Sequence, residues 1–245
     1  MSRLLLALAL AAAPCLVRAQ DAPPPPPLEG RIEGKNYVSP TGVFKVTIPV
    51  LAELGGSISD TPNVVTFQDG FNVHISIAAF PQDATQRWEL STRGLKDYLI
   101  YFFSNFVLAD FKQTFEGVQI ESAKFLPGQL EGSLITYILL PGGSMFMDKV
   151  PQLGTDGRVP VAKRGNLLFV KNGHIFVISV ELAERVIEGS SYKKTTAEED
   201  DILRQRLADV VGKIEFAKPP AAAPAATTAA PATPAPAAAP TTPKK

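Results

Sequence analysis

Cysteine and histidine are nearly missing from this sequence: one Cys and two His occur in 245 residues. The lone Cys15 falls inside an N-terminal stretch that reads as a cleavable leader, so the mature chain is expected to carry neither thiol nor disulfide. His74 and His174 offer no HxxxH spacing, and with no CxxC pair a zinc site is not expected. A GxSxG nucleophile elbow and a GxxxxGK(S/T) phosphate loop are absent as well. Catalysis by general base or nucleophile needs such constellations, so the chain is not expected to be an enzyme or to hold a cofactor or metal. An excess of charge of one sign is also lacking, with 24 Lys and Arg against 24 Asp and Glu. Neutrality leaves nothing to neutralise a phosphate backbone, and no nucleic-acid partner is expected. No N-x-Ser/Thr sequon occurs, which favours a bacterial envelope protein over a eukaryotic secreted one.

What is present begins with that leader. Ser2-Arg3, the apolar run Leu4 to Ala13, the helix-breaking Pro14 and the small-residue pattern Val17-Arg18-Ala19 have the order of a signal peptide over residues 1–19, cleaved before Gln20. The run is short of the roughly 17 to 25 residues that a membrane helix needs, so no integral span is expected after cleavage. Pro14 is not the small residue that lipoprotein processing wants before a cysteine, so export to the periplasm or cell exterior without lipidation is the expectation. Residues 20–31 contain Pro23 to Pro27 and read as an extended spacer. Residues 32–217 are long enough for one globular core. Residues 218–245 collapse to Ala, Pro and Thr without apolar periodicity, the composition of a disordered tail.

The strongest structural pattern runs from Arg164 to Leu182, where two apolar, β-branched and aromatic runs flank Asn172-Gly173. A type I′ turn there pairs Lys171 with His174, Val170 with Ile175, Phe169 with Phe176, Leu168 with Val177 and Leu167 with Ile178. Both faces of that hairpin are apolar, which places it centrally in a sheet covered on both sides. Gly42 to Pro49 alternates as a strand with Phe44, Val46 and Ile48 inward. Asp69-Gly70 predicts a second hairpin pairing Gln68 with Phe71, Thr66 with Val73 and Val64 with Ile75. In that register Phe71 and Val73 share the core face of Ile75 and Ile77, while His74 points the other way. From Ser91, as N-cap, to about Asp110 the spacing of Leu95, Leu99, Phe102, Phe106 and Ala109 is helical. Val118 to Leu126 and Leu130 to Leu140 form another antiparallel pair. The last helix runs from Ala197 to about Gly212. Thr196 and Glu199 have capping-box spacing, and Leu203, Leu207, Val210 and Ile214 form its buried stripe. The acidic run Glu198 to Asp201 reads as helix capping and not as a cation loop.

Taken in order, SPTGVFKVTIPV, KNGHIFVISVEL and LRQRLADVVGKIEF resemble the first strand, late hairpin and closing helix of the PsbP/Mog1-like fold, including its bacterial members of unassigned function. The resemblance implies an α+β fold, an antiparallel sheet flanked by helices as an α/β/α sandwich, and an accessory or protein-binding role. It carries over no functional residue. The long connection Pro141 to Lys163, with an excursion turn at Asp156-Gly157, is the candidate contact region for a protein partner in the cell envelope. Its adaptable apolar residues are Met145, Phe146, Met147, Val150 and Leu153. The alternative readings are a carrier of a hydrophobic small ligand, which requires an apolar cavity between the helix at 91–110 and the sheet, and an enzyme built on His74.

Overall fold

The structure is a computed structural model that describes residues 26–149 and 159–217. The leader, much of the Pro-rich spacer, the Asp156-Gly157 turn and the Ala/Pro/Thr-rich tail lie outside the described residues. In chain order the elements are β1 (Arg31–Glu33), β2 (Asn36–Val38), β3 (Phe44–Thr47), β4 (Ser57–Asp60), β5 (Val64–Gln68) and β6 (His74–Pro81). Helix α1 (Ala84–Arg93) and helix α2 (Leu95–Phe102) follow, and α2 runs through a π turn at Phe103–Val107 into α3 (Leu108–Thr114). The chain then forms β7 (Gln119–Leu126), β8 (Ser133–Pro141), β9 (Val161–Lys171), β10 (His174–Glu181), α4 (Glu184–Ile187), α5 (Thr196–Gly212) and β11 (Ile214–Phe216).

The described residues build a seven-stranded sheet in the order β4-β5-β6-β10-β9-β8-β7 and a smaller sheet in the order β1-β2-β3-β11. Neighbouring strands are antiparallel throughout. The hairpin at Asn172-Gly173 lies at the centre, in the register that the turn chemistry dictates, with φ of 49° and 73° at the two turn residues. Phe67, Ile77, Leu167 and Phe176 pack against Leu203, Leu207 and Val210 of α5 and against the smaller sheet. On the opposite face Leu134, Ile138, Leu168 and Val177 pack against Tyr98, Leu99, Phe102 and Leu108 of the helical segment. The molecule is therefore an α+β antiparallel sheet flanked by helices. Asp60 ties the N-terminal segment to it, accepting hydrogen bonds from the backbone of Glu29 and Gly30 and from the Tyr37 hydroxyl at 2.7–2.9 Å. Gly30 is needed there, because a Cβ would lie 2.5 Å from the Tyr37 oxygen.

Local chemistry corrects several expected boundaries. The second hairpin pairs Gln68 with His74 and Val64 with Ala78, not with Phe71 and Ile75. Asp69 is the cause: its carboxylate accepts from the amides of Phe71, Asn72 and Val73 at 2.9–3.0 Å and holds them as a loop. Phe71 is consequently exposed and not in the core. Ser91 is not an N-cap. It lies inside α1, which Asp83 caps by accepting from Gln86 N, and Gly94, with φ of 74°, separates α1 from α2. The capping box of α5 is one residue earlier than the spacing suggested, at Thr195 and Glu198.

Candidate functional site

Helix α2 carries its apolar stripe toward the sheet until Phe102, and there the π turn changes the phase. Leu108 N–H bonds to Phe103 O, five residues back, so one extra residue enters the turn. The inward positions become Phe103, Leu108 and Phe111, and Phe106 is rotated to a position that is 44% exposed. Beneath the displaced segment the sheet offers small residues, Ala78 and Ser179, which do not fill the space. The result is a cleft of about 520 Å³ between sheet and helix. Val64, Ile175 and Val177 complete its floor, Phe102, Phe106 and Phe111 its roof, and Phe80 and Pro81 one wall. Phe102 and Phe106 lie 4.8 Å apart between ring centroids. Tyr98 fastens α1 to α2 at this wall, donating to Gln86 and accepting from Gln82. The volume and the mainly apolar lining are those of a small-molecule site.

A polar belt, buried except at half-buried Ser76, adjoins the cleft on the same sheet face. Thr136, Asn166, Ser179 and Ser76 stand side by side across β8, β9, β10 and β6. Ser179 Oγ donates to Asn166 Oδ1 at 2.6 Å. One row further Arg164 pairs with Glu181, which also accepts from Ser144 Oγ and Met145 N and so anchors the start of the long connection. Burial holds the Arg164 pKa below its ordinary value. His74 is buried beside this row, its Nδ1 has no partner among the described residues, and burial with the nearby Arg164 charge pushes its pKa down to about 3. His174 flanks the turn, its Nδ1 3.0 Å from Asn172 O.

Of the contact candidates, Met145 and Met147 are exposed at 42% and 37%, whereas Phe146 is buried. Val150 and Leu153 lie outside the described residues. The connection passes the end of β5, where Gln68 Nε2 donates to Met145 O. The cleft lies where the hydrophobic-carrier alternative requires an apolar cavity, between the helix at 91–110 and the sheet; what the sequence did not show is its cause, a helical phase shift that composition does not announce. Sequence reasoning also missed the buried charges. Lys163, fully enclosed, contacts Glu121, Glu199 and Asp200, and Arg185 also reaches Glu199. A signal existed for one pair: extending the hairpin register three steps beyond Leu167 and Ile178 places Arg164 opposite Glu181. Among the described residues no helix is long and apolar enough to cross a membrane, and no group of three or more His, Cys, Asp or Glu is placed to hold a metal ion.

No family model and no curated protein matches the sequence. Among solved structures the chain is similar to the Ran-binding protein Mog1p of Saccharomyces cerevisiae, at 10% identity over 78% of this chain and 96% of that one, with a TM-score of 0.45. It is similar to the cyanobacterial PsbP protein of Synechocystis at 13% identity over 74% and 91%, TM-score 0.46. A protein from Bacteroides thetaiotaomicron shares 15% identity over 76% and 50%, TM-score 0.36. Two of these bear the names of the PsbP/Mog1-like group that the sequence resembles, and the likeness concerns the fold alone.

Proposed function

We propose that the protein is an exported, non-enzymatic binding domain whose cleft between the α2–α3 segment and the sheet takes an apolar small molecule. The cleft of about 520 Å³ is the observation that carries this reading. The leader-like residues 1–19 support export. His74 supports a non-catalytic role, since an imidazole with a pKa of about 3 is too weak a base to act near neutral pH. Titrating the full chain with the uncharged dye N-phenylnaphthylamine tests the reading, with saturable one-to-one fluorescence enhancement expected. Ala78→Phe fills the floor and should weaken binding at least tenfold. Phe106→Ala acts at an exposed ring, keeps the fold and should weaken it several-fold. Saturation unchanged in both folded variants, or no saturation at all, overturns the proposal.

A second reading rests on the exposure of Met145 and Met147, which suits contact with a protein partner in the cell envelope. Replacing both by serine should abolish capture of that partner while leaving dye binding intact.

A further inference from the structure

We propose that the natural occupant of the cleft is a lipophilic cation, an aliphatic or aromatic body ending in a protonated amine or quaternary ammonium group. This rests on the cleft being a ligand site and names the chemistry it selects. Among the described residues the lining holds two ionisable side chains, Asp83 and Asp110, and both are acids. The remaining polar groups do not reverse that sign. Ser179 donates its hydroxyl hydrogen to Asn166, so the oxygen it turns to a ligand is an acceptor. Gln86 is neutral: its Oε1 accepts from the Tyr98 hydroxyl, and the amide hydrogens it keeps are donors without charge. Two nearby cations are engaged elsewhere: Arg87 donates to Gln82 O, and Arg164, 5.6 Å from the Phe111 ring centroid, is paired with Glu181.

An anionic amphiphile such as a fatty acid would therefore meet carboxylates with no compensating charge in the lining. A cation meets those carboxylates together with the rings of Phe80, Phe102 and Phe106, and aromatic rings attract ammonium groups through their quadrupoles. The aromatic-rich roof and the acidic residues thus favour the same sign of ligand. Charge selection of this kind acts against the wrong partner as much as for the right one.

The experiment displaces N-phenylnaphthylamine from the full chain with three twelve-carbon probes below their micellar concentrations: dodecyltrimethylammonium, dodecanol and dodecanoate. Dodecyltrimethylammonium should bind at least tenfold more tightly than dodecanoate, with dodecanol between them. Asp83→Asn combined with Asp110→Asn should erase the preference for the ammonium over the carboxylate probe, and Asn retains the helix cap at position 83. Dodecanoate binding as tightly as the ammonium probe, or a preference that survives the double substitution, overturns the proposal while leaving the apolar cleft standing. Failure of all three probes removes both. A concentration-dependent dimer that excludes the dye would assign the cleft to a second copy of the chain and likewise overturn it.

Discussion

His74 makes the stability of the molecule depend on pH in a definite direction. Its folded pKa of about 3 lies below the ordinary 6.5, so between those values the unfolded chain binds a proton that the folded chain refuses. The contribution is fully present above pH 6.5 and is lost progressively as pH falls toward 3. Asp60 and Glu184 also titrate below their ordinary 3.8 and 4.5, burial being outweighed by hydrogen bonds from Gly30 and from Arg206 respectively, so their contributions fade only in more acid solution. The window from about pH 6.5 to 4.5 isolates the histidine. Urea unfolding should show a loss of roughly 2 kcal/mol across it in the native chain and a nearly flat profile in His74→Gln. Equal slopes would mean that another group titrates there. Strand alternation put His74 opposite the core face in the sequence, and it does share a face with Ser76 and Ser179. At the His74 end of β6 that face carries polar side chains, yet His74 is buried there with Arg164 nearby, a tertiary fact that alternation does not encode.

At the level of elements, the buried Lys163 joins pieces that the chain delivers far apart. It sits in β9, contacts Glu121 of β7 and both Glu199 and Asp200 near the start of α5, and lies 5.5 Å from the Tyr137 ring centroid. Burial draws its pKa down, but the contacts with Asp200, Glu121 and Glu199 outweigh that and leave it raised. Its contribution is therefore full throughout the neutral range and is lost only as pH climbs above the ordinary 10.5 through the raised value. Lys163→Met leaves the carboxylates without their cation and should cost about 3–5 kcal/mol in denaturant unfolding at neutral pH. A loss below about 1 kcal/mol would show that water reaches the cluster and screens it. The central hairpin, the paired strands after the helices and the closing helix were legible from apolar period and turn residues. β1, β2 and β4 were not, being only three or four residues long, too short for an apolar period to show. Nor was the role of Glu199: an acidic residue at a helix start reads as a cap, and only its packing beside β9 turns it into a buried ion pair.

For the molecule as a whole, the layering predicts where stability resides. Strands β9 and β10 have neighbours on both edges and buried side chains on both faces, so their amides can exchange only when the sheet opens. Strand β4 is an edge, alternates exposed and half-buried residues, and is attached through β5. The small sheet depends on β11 pairing with β3 at the chain's far end, and β1 is exposed along its whole length. Native-state hydrogen exchange should therefore report protection equal to the global unfolding free energy for the amides of Leu167 to Val170 and Ile175 to Ile178. Exchange in Arg31 to Glu33 and at unpaired edge amides of β4 should be at least a hundredfold faster. A ligand in the cleft contacts β5, β6 and β10 from one side and the α2–α3 segment from the other, so its binding should slow exchange in the helical segment while leaving β1 unchanged. Uniform slowing across both sheets would instead mean that the ligand stabilises only against global unfolding, and equal protection of β1 and β9 before ligand is added would remove the central hairpin from its place as the most stable part of the fold.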